Sequence, residues 1–134
     1  MSTDTKNSWV FQDPLQNKEN QFFWEQAQSN NLVLKHCLVC DKPHYYPRFY
    51  CPHCGSEKTE WRISKGLGVI YSFTRMVRGV ENPFLMAYVE LDEGVKLMTH
   101  LLASDWDAVQ IGQRVKVDFI ISVSGQKVPI FLVE

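Results

Sequence analysis

The sequence predicts a mostly β chain: one N-terminal helix, a four-cysteine ribbon, and a small five-stranded C-terminal barrel of the OB type. Three observations carry this. Every cysteine lies in HCLVCDKPHYYPRFYCPHCGS, residues 36–56, as two C-x-x-C pairs with ten residues between them. After residue 65, apolar residues recur at every second position in five short runs, the period of half-buried strands. Before the cysteines, NKENQFFWEQAQS (17–29) combines an Asn- and Glu-rich start with good helix formers and three adjacent aromatics.

Residues 1–16 are polar, with Pro14 near their end, and are expected to form a flexible arm with Trp9, Val10 and Phe11 as a docking point. The aromatic helix occupies 17–31. Phe23 and Ala27 share one face at i,i+4, with Phe22 and Trp24 to either side, and Asn30 and Asn31 let the chain leave through a left-handed conformation. In the ribbon, 32–61, a strand through Leu32 and Leu34 leads into the first cysteine pair. The ten-residue spacer is long enough for a β-hairpin, with His44 at its turn. The barrel takes up 62–134. GLGVIYSFTRM alternates after a glycine entry, and FLMAYVEL and VKLMTHLL flank the D-E-G hairpin signal at 92–94. VKVDFIISV alternates apolar Val115, Val117, Phe119, Ile121 and Val123, and S-G-Q-K turns the chain into VPIFLV. Between these pairs SDWDAVQIGQ reads as a turn or single helical turn capped by Ser104.

Two C-x-x-C knuckles bring four thiolates, Cys37, Cys40, Cys51 and Cys54, to one tetrahedral point, with Pro52 and Gly55 shaping the second. Such a shell is closed. It leaves no position for water or substrate, so it points to a structural metal rather than Lewis-acid chemistry. Zinc is favoured over a rubredoxin-like iron because no flavin fingerprint or second cluster motif accompanies the cysteines, and a catalytic dithiol is the weakest reading. His36, His44, His53 and His100 are expected to be structural or solvated, and Asp92 and Glu93 to be a solvated hairpin turn. No nucleophile elbow, metalloprotease motif or phosphate loop is present, so no catalytic residue is assigned. The net charge is −1, without the basic surplus usual in nucleic-acid binders. No apolar run approaches the roughly 20 residues that span a bilayer. The N-terminus lacks the pattern of a secretory signal, so a cytoplasmic protein with reduced thiols is expected.

The ordered strings FFWE (22–25), C-x-x-C (37–40), YPR (46–48), CPHCGS (51–56), GLGVIYSFT (66–74), YVELDEGVKLMTHL (88–101), IGQRVKV (111–117) and PIF (129–131) cover nearly everything after residue 17. Together they resemble the zinc-ribbon/OB-fold family of acyl-CoA-associated proteins, long catalogued only as a domain of unknown function. Members often carry a glycine after the aromatic helix, where this chain has Asn30 and Asn31. The resemblance implies a rubredoxin-like zinc ribbon and a non-catalytic accessory subunit. Its expected partner is a thiolase-like enzyme, whether thiolase, aldolase or acyltransferase, and acyl-CoA is expected at or near the interface.

On that implication Phe22, Phe23 and Trp24 are the first candidates for partner docking, with at least one of them expected to cover the barrel's open end. Tyr45, Tyr46 and Arg48 form an aromatic-basic cluster that either stacks on adenine or meets a CoA phosphate, or is an exposed hairpin with a packed tyrosine, and Arg75 and Arg78 are either further phosphate candidates or solvated arginines. The competing readings are a single-stranded nucleic-acid binder using Tyr71 and Phe73 as a stacking platform, and then an iron electron carrier.

Overall fold

The computed structural model describes residues 11–134. Trp9 and Val10, expected as docking residues, lie outside the described residues. Helix α1 spans Gln21–Gln28. It is followed by ribbon strands β1 (Val33–Cys37), β2 (Pro43–His44) and β3 (Thr59–Ile63), then barrel strands β4 (Leu67–Met76), β5 (Phe84–Leu91), β6 (Lys96–Leu102), β7 (Arg114–Ile121) and β8 (Lys127–Val133). A single 3-10 turn, Trp106–Ala108, sits between β6 and β7.

The barrel strands close in the order β4-β5-β6-β8-β7, and β7 returns to β4. Neighbours run antiparallel except β6 and β8, which meet in parallel at Leu101↔Phe131 and Leu102↔Leu132. This is the Greek-key closure of an OB barrel. The D-E-G turn forms as expected: Leu91 N–H donates to Val95 O at 2.8 Å and Gly94 takes φ +103. Gly68 lets β4 approach β5, because a Cβ there would lie 2.4 Å from Glu90 O.

Helix α1 packs against β1 of the ribbon and β8 of the barrel. One continuous core therefore joins Phe23, Trp24 and Ala27 to Leu32–Leu34 and to barrel residues such as Leu85, Val115 and Phe131. Gln126 Nε2 donates to Trp24 O (3.0 Å) and Lys127 Nζ to Asn30 Oδ1 (2.9 Å), fastening the helix to the start of β8. Asn30 leaves the helix at φ +65, as its short polar side chain permits.

Several local expectations give way to tertiary contacts. The ribbon hairpin does not lie inside the spacer. It wraps the first knuckle, pairing β1 with β2, while β3 pairs with the other edge of β1 to give the order β2-β1-β3. His44 is consequently a buried strand residue and not a turn residue. The 3-10 turn is capped by Asp105, whose carboxylate accepts from Asp107 N–H, and not by Ser104. Along β7 the alternation changes phase: Ile120 and Ser122 are buried, while Ile121 and Val123 are exposed. At this end of the barrel residues 11–16, expected as part of a flexible arm, are tied down. Val123 N–H donates to Phe11 O at 2.9 Å, and Asp13 Oδ1 accepts from Ser122 Oγ (2.5 Å), Ser124 N (3.1 Å) and Ser124 Oγ (2.8 Å). These bonds hold the Asp13 carboxyl below its ordinary pKa. Asp92 and Glu93 are likewise engaged. Arg114 holds Asp92 in a two-pronged pair (3.0 and 3.1 Å), and Glu93 accepts from Ser64 Oγ and Lys65 N–H on the ribbon–barrel connection.

Two outcomes follow. Phe23→Ala, which empties a site only 1% exposed, should lower unfolding free energy by about 3–5 kcal/mol in denaturant titrations. His100 stacks flat on Phe84 (4.1 Å) with Phe11 at 4.6 Å, and burial pushes its pKa from 6.5 down to about 4. The unfolded chain thus takes up this proton before the folded one. Stability should be intact above the ordinary histidine pKa and fall on acidification toward about pH 4, and His100→Phe should remove that part of the slope.

Candidate metal centre and its surroundings

The two knuckles repeat one backbone pattern fourteen residues apart. Cys37 N–H donates to Lys42 O and Asp41 N–H to Cys37 O (both 3.0 Å); Cys51 N–H donates to Ser56 O and Gly55 N–H to Cys51 O (both 2.8 Å). In each, the residue after the second cysteine turns left-handed: Gly55 at φ +81 and Asp41 at φ +58. The sequence signalled Gly55 by residue type. Asp41 escaped notice, although Asp tolerates this region better than most residues. Asp41 also accepts from or pairs with His36 Nε2 at 2.7 Å, which holds its own carboxyl below the ordinary range.

These turns bring the sulfurs of Cys37, Cys40, Cys51 and Cys54 within 4.8 Å of one another. Cys37–Cys54 and Cys40–Cys51 stand at 3.6 Å, close to the roughly 3.8 Å between thiolates bound tetrahedrally at about 2.3 Å from a zinc-sized ion. Backbone N–H groups already point at the sulfurs, from Val39 and Cys40 to Cys37 (3.4 and 3.5 Å) and from His53 to Cys51 (3.3 Å). The Cys40 and Val39 N–H groups bring the Cys37 thiol down to about 6, whereas burial pushes Cys40 up to about 12. The groups around the sulfurs thus do not favour all four thiolates alike, and a cation at their centre would. The donor set fits a structural metal.

The remaining expected site residues are dispersed. Phe23 and Trp24 are 1% and 7% exposed and belong to the core, so of the three helix aromatics Phe22, at 38%, reaches the surface, its ring tilted against that of Trp61 at 5.0 Å. Tyr45 and Tyr46 pack against the same core. Trp24 Nε1 donates to Tyr46 Oη at 2.7 Å, and burial raises both tyrosine pKa values. Arg48 is exposed, and its N–H donates to Nε2 of buried His44 at 3.3 Å. Arg75 is paired with Asp107 and lies over the Trp106 ring at 5.7 Å; Arg78 is exposed in the β4–β5 loop. Of the proposed stacking pair, Tyr71 is exposed beneath Lys96 Nζ (4.8 Å), but Phe73 packs on the core. Sequence reasoning missed an open cleft of about 490 Å³ between the ribbon spacer and the β5–β6 turn, lined by Lys42, His44, Tyr45, His53, Glu93 and Lys96. Its residues come from three separate segments, so no local motif announced it.

Comparison with known proteins fits this architecture. Residues 24–60 match the model described as ChsH2, rubredoxin-like zinc ribbon domain, and residues 61–119 the model described as ChsH2, C-terminal OB-fold domain. A DUF35 domain-containing scaffold protein of Methanothermobacter thermautotrophicus is 30% identical over 98 residues, 69% of this chain and 74% of the relative. The chain belongs to the ChsH2/DUF35 family. A solved structure, the Ltp2-ChsH2(DUF35) aldolase, contains a chain 31% identical to this ChsH2/DUF35 protein, with a TM-score of 0.78 over 90% of this chain and 98% of that one. A probable enoyl-CoA hydratase alpha subunit of Thermomonospora curvata is 31% identical over 133 residues, which are 96% of this chain but only 42% of that relative. Among the described residues no helix is long and apolar enough to cross a membrane.

Chelation supplies the test of the centre. The purified protein should carry one metal ion per four-cysteine site. Prolonged EDTA or a Cys40→Ser change should lower its melting temperature and loosen the ribbon in circular dichroism, because ion binding is folding energy here. Retention should also weaken as pH falls, since protons compete for the thiolates.

Proposed function

We propose that this chain is a zinc-stabilised accessory subunit of a thiolase-type enzyme complex, lying beside the catalytic subunit where acyl-CoA is handled. The observation that carries the reading is the structural match to the ChsH2(DUF35) chain of the Ltp2-ChsH2 aldolase, which is nearly complete in both directions. The name of the Thermomonospora relative, a hydratase alpha subunit, also points to a multi-subunit acyl-CoA enzyme. Zinc is preferred because four thiolates at tetrahedral separations suit an ion with no geometric or redox demands of its own.

The residues of this subunit divide by exposure. Phe22 on the helix, Leu38 and Val39 at the tip of the first knuckle, and Phe49 and Tyr50 before the second are exposed apolar groups held in place by the ribbon. They are the contacts through which it meets its partner. Trp61 lies against Phe22, 5.0 Å between ring centres. For acyl-CoA, the cleft between ribbon and barrel offers Lys42 and Lys96 as phosphate partners, with Arg48, Arg75 and Arg78 as peripheral cations.

Co-expression with a thiolase-like partner from the same genome should yield a stable complex on size-exclusion chromatography, and two separate species would overturn the reading. Phe22→Ala and Leu38→Asp should each weaken the complex by about tenfold, measured by calorimetry, while leaving the isolated subunit folded.

A further inference from the structure

Strand β3 is an edge. In the order β2-β1-β3 it has β1 on one side and, among the described residues, no strand on the other. The register fixes which backbone groups that leaves. Leu38 N–H donates to Lys58 O and Ser64 N–H to Leu32 O, so positions 58, 60, 62 and 64 face β1. Thr59, Trp61 and Ile63 therefore turn their backbone groups outward. Thr59 N–H donates to Glu57 O at 3.0 Å, and among the described residues no hydrogen bond occupies the N–H groups of Trp61 and Ile63.

The side chains along this edge are complementary to themselves. Glu60 and Arg62 lie on one face of β3, close enough to pair along the strand at 2.6 Å, and both are solvent-accessible. On the other face stand Trp61, with Phe22 against it, and Ile63, which is 66% exposed. An antiparallel copy of the strand, related by a two-fold axis through Trp61, would set Glu60 opposite the copy's Arg62 and Arg62 opposite its Glu60. These are non-hydrogen-bonded pairs, where strands come closest, about 4.5 Å between Cα atoms. The same axis would pair Trp61 with itself and Ile63 with Thr59. Trp61 N–H would donate to the copy's Trp61 C=O and Ile63 N–H to its Thr59 C=O, each bond made twice. Any other register loses both charge pairs.

We infer that the β3 edge is a self-association surface whose occupant is a second copy of this chain, joined as a continuous six-stranded ribbon sheet. The interface is isologous and closes at the dimer. Registry comes from the Glu60–Arg62 exchange, and the apolar contribution from Trp61, Phe22 and Ile63. The inference shares Phe22 with the surface proposed for the thiolase-like partner but does not rest on that reading, and the strand pairing is tested without any partner enzyme.

The experiment is sedimentation velocity on the full, metal-loaded chain expressed alone, over a wide concentration range. The wild type should show a reversible monomer–dimer equilibrium. Glu60→Arg and Arg62→Glu each replace two attractive cross-strand pairs by two repulsive ones and should each raise the dimer dissociation constant by about tenfold or more. Mixing these two variants should restore dimerisation, because one edge then carries only acids and the other only arginines. The double variant E60R/R62E should dimerise by itself. Metal content and circular dichroism confirm that each variant is folded. For the wild type, hydrogen exchange at the Trp61 and Ile63 amides should slow as concentration rises. A chain that stays monomeric at all concentrations overturns the inference. So does a dimer indifferent to both single changes, or a mixture of the two variants that does not associate.

Discussion

Four sulfurs gathered within 4.8 Å are the constraint on which the ribbon depends. Two small turns aim backbone amides at them, yet two of the thiols are drawn toward ionisation and two away from it, so the cluster is incomplete as protein alone. An ion bound at the centre would turn the conflict into folding energy. The spacer between the two knuckles carries Tyr45 and Tyr46 against the core and leaves Phe49 and Tyr50 outside.

The helix acts as mortar between ribbon and barrel. Its buried face is one Phe–Trp pair, 4.8 Å apart and edge-on, with the indole N–H satisfied by Tyr46 Oη. That hydrogen bond lets a tryptophan be buried without an orphaned donor. Ser64 and Glu93 tie the connection below it. With a single core spanning all three parts, the ribbon has no separate interior to lose, and damage at the metal is felt in the barrel.

Features set by short-range chemistry were legible in the sequence: the cluster of four cysteines, the hairpin at 92–94, the left-handed exit at Asn30, and the strands whose period of two reports burial on one side. What was hidden depended on distant segments. Three adjacent aromatics do not say which two face inward; the positions of β1, β8 and Tyr46 decide that. The phase change at the end of β7 lies beside a strap from a segment more than one hundred residues away in sequence, Asp13 to Ser122. The ribbon hairpin was misplaced because a two-residue strand, Pro43–His44, leaves almost no periodic trace. Of the three helix aromatics the sequence offered for docking, Phe22 alone has an exposed side chain.

The insertion of β8 between β6 and β7 has a consequence for synthesis. The ribbon's contacts are local, and its cysteines can capture an ion once about sixty residues have emerged. The barrel cannot close until its last strand, Lys127–Val133, is available, and the strap at Phe11–Asp13 also waits for residues 122–124. Long-range closure of this kind is slow relative to local folding. During translation, then, the ribbon precedes an unfinished sheet, and the inner face of α1 has its ribbon contacts but lacks the cover of β8. Over that interval Phe23 and Trp24 are only partly enclosed, and a chaperone, or a partner already assembled, would find the nascent chain most receptive.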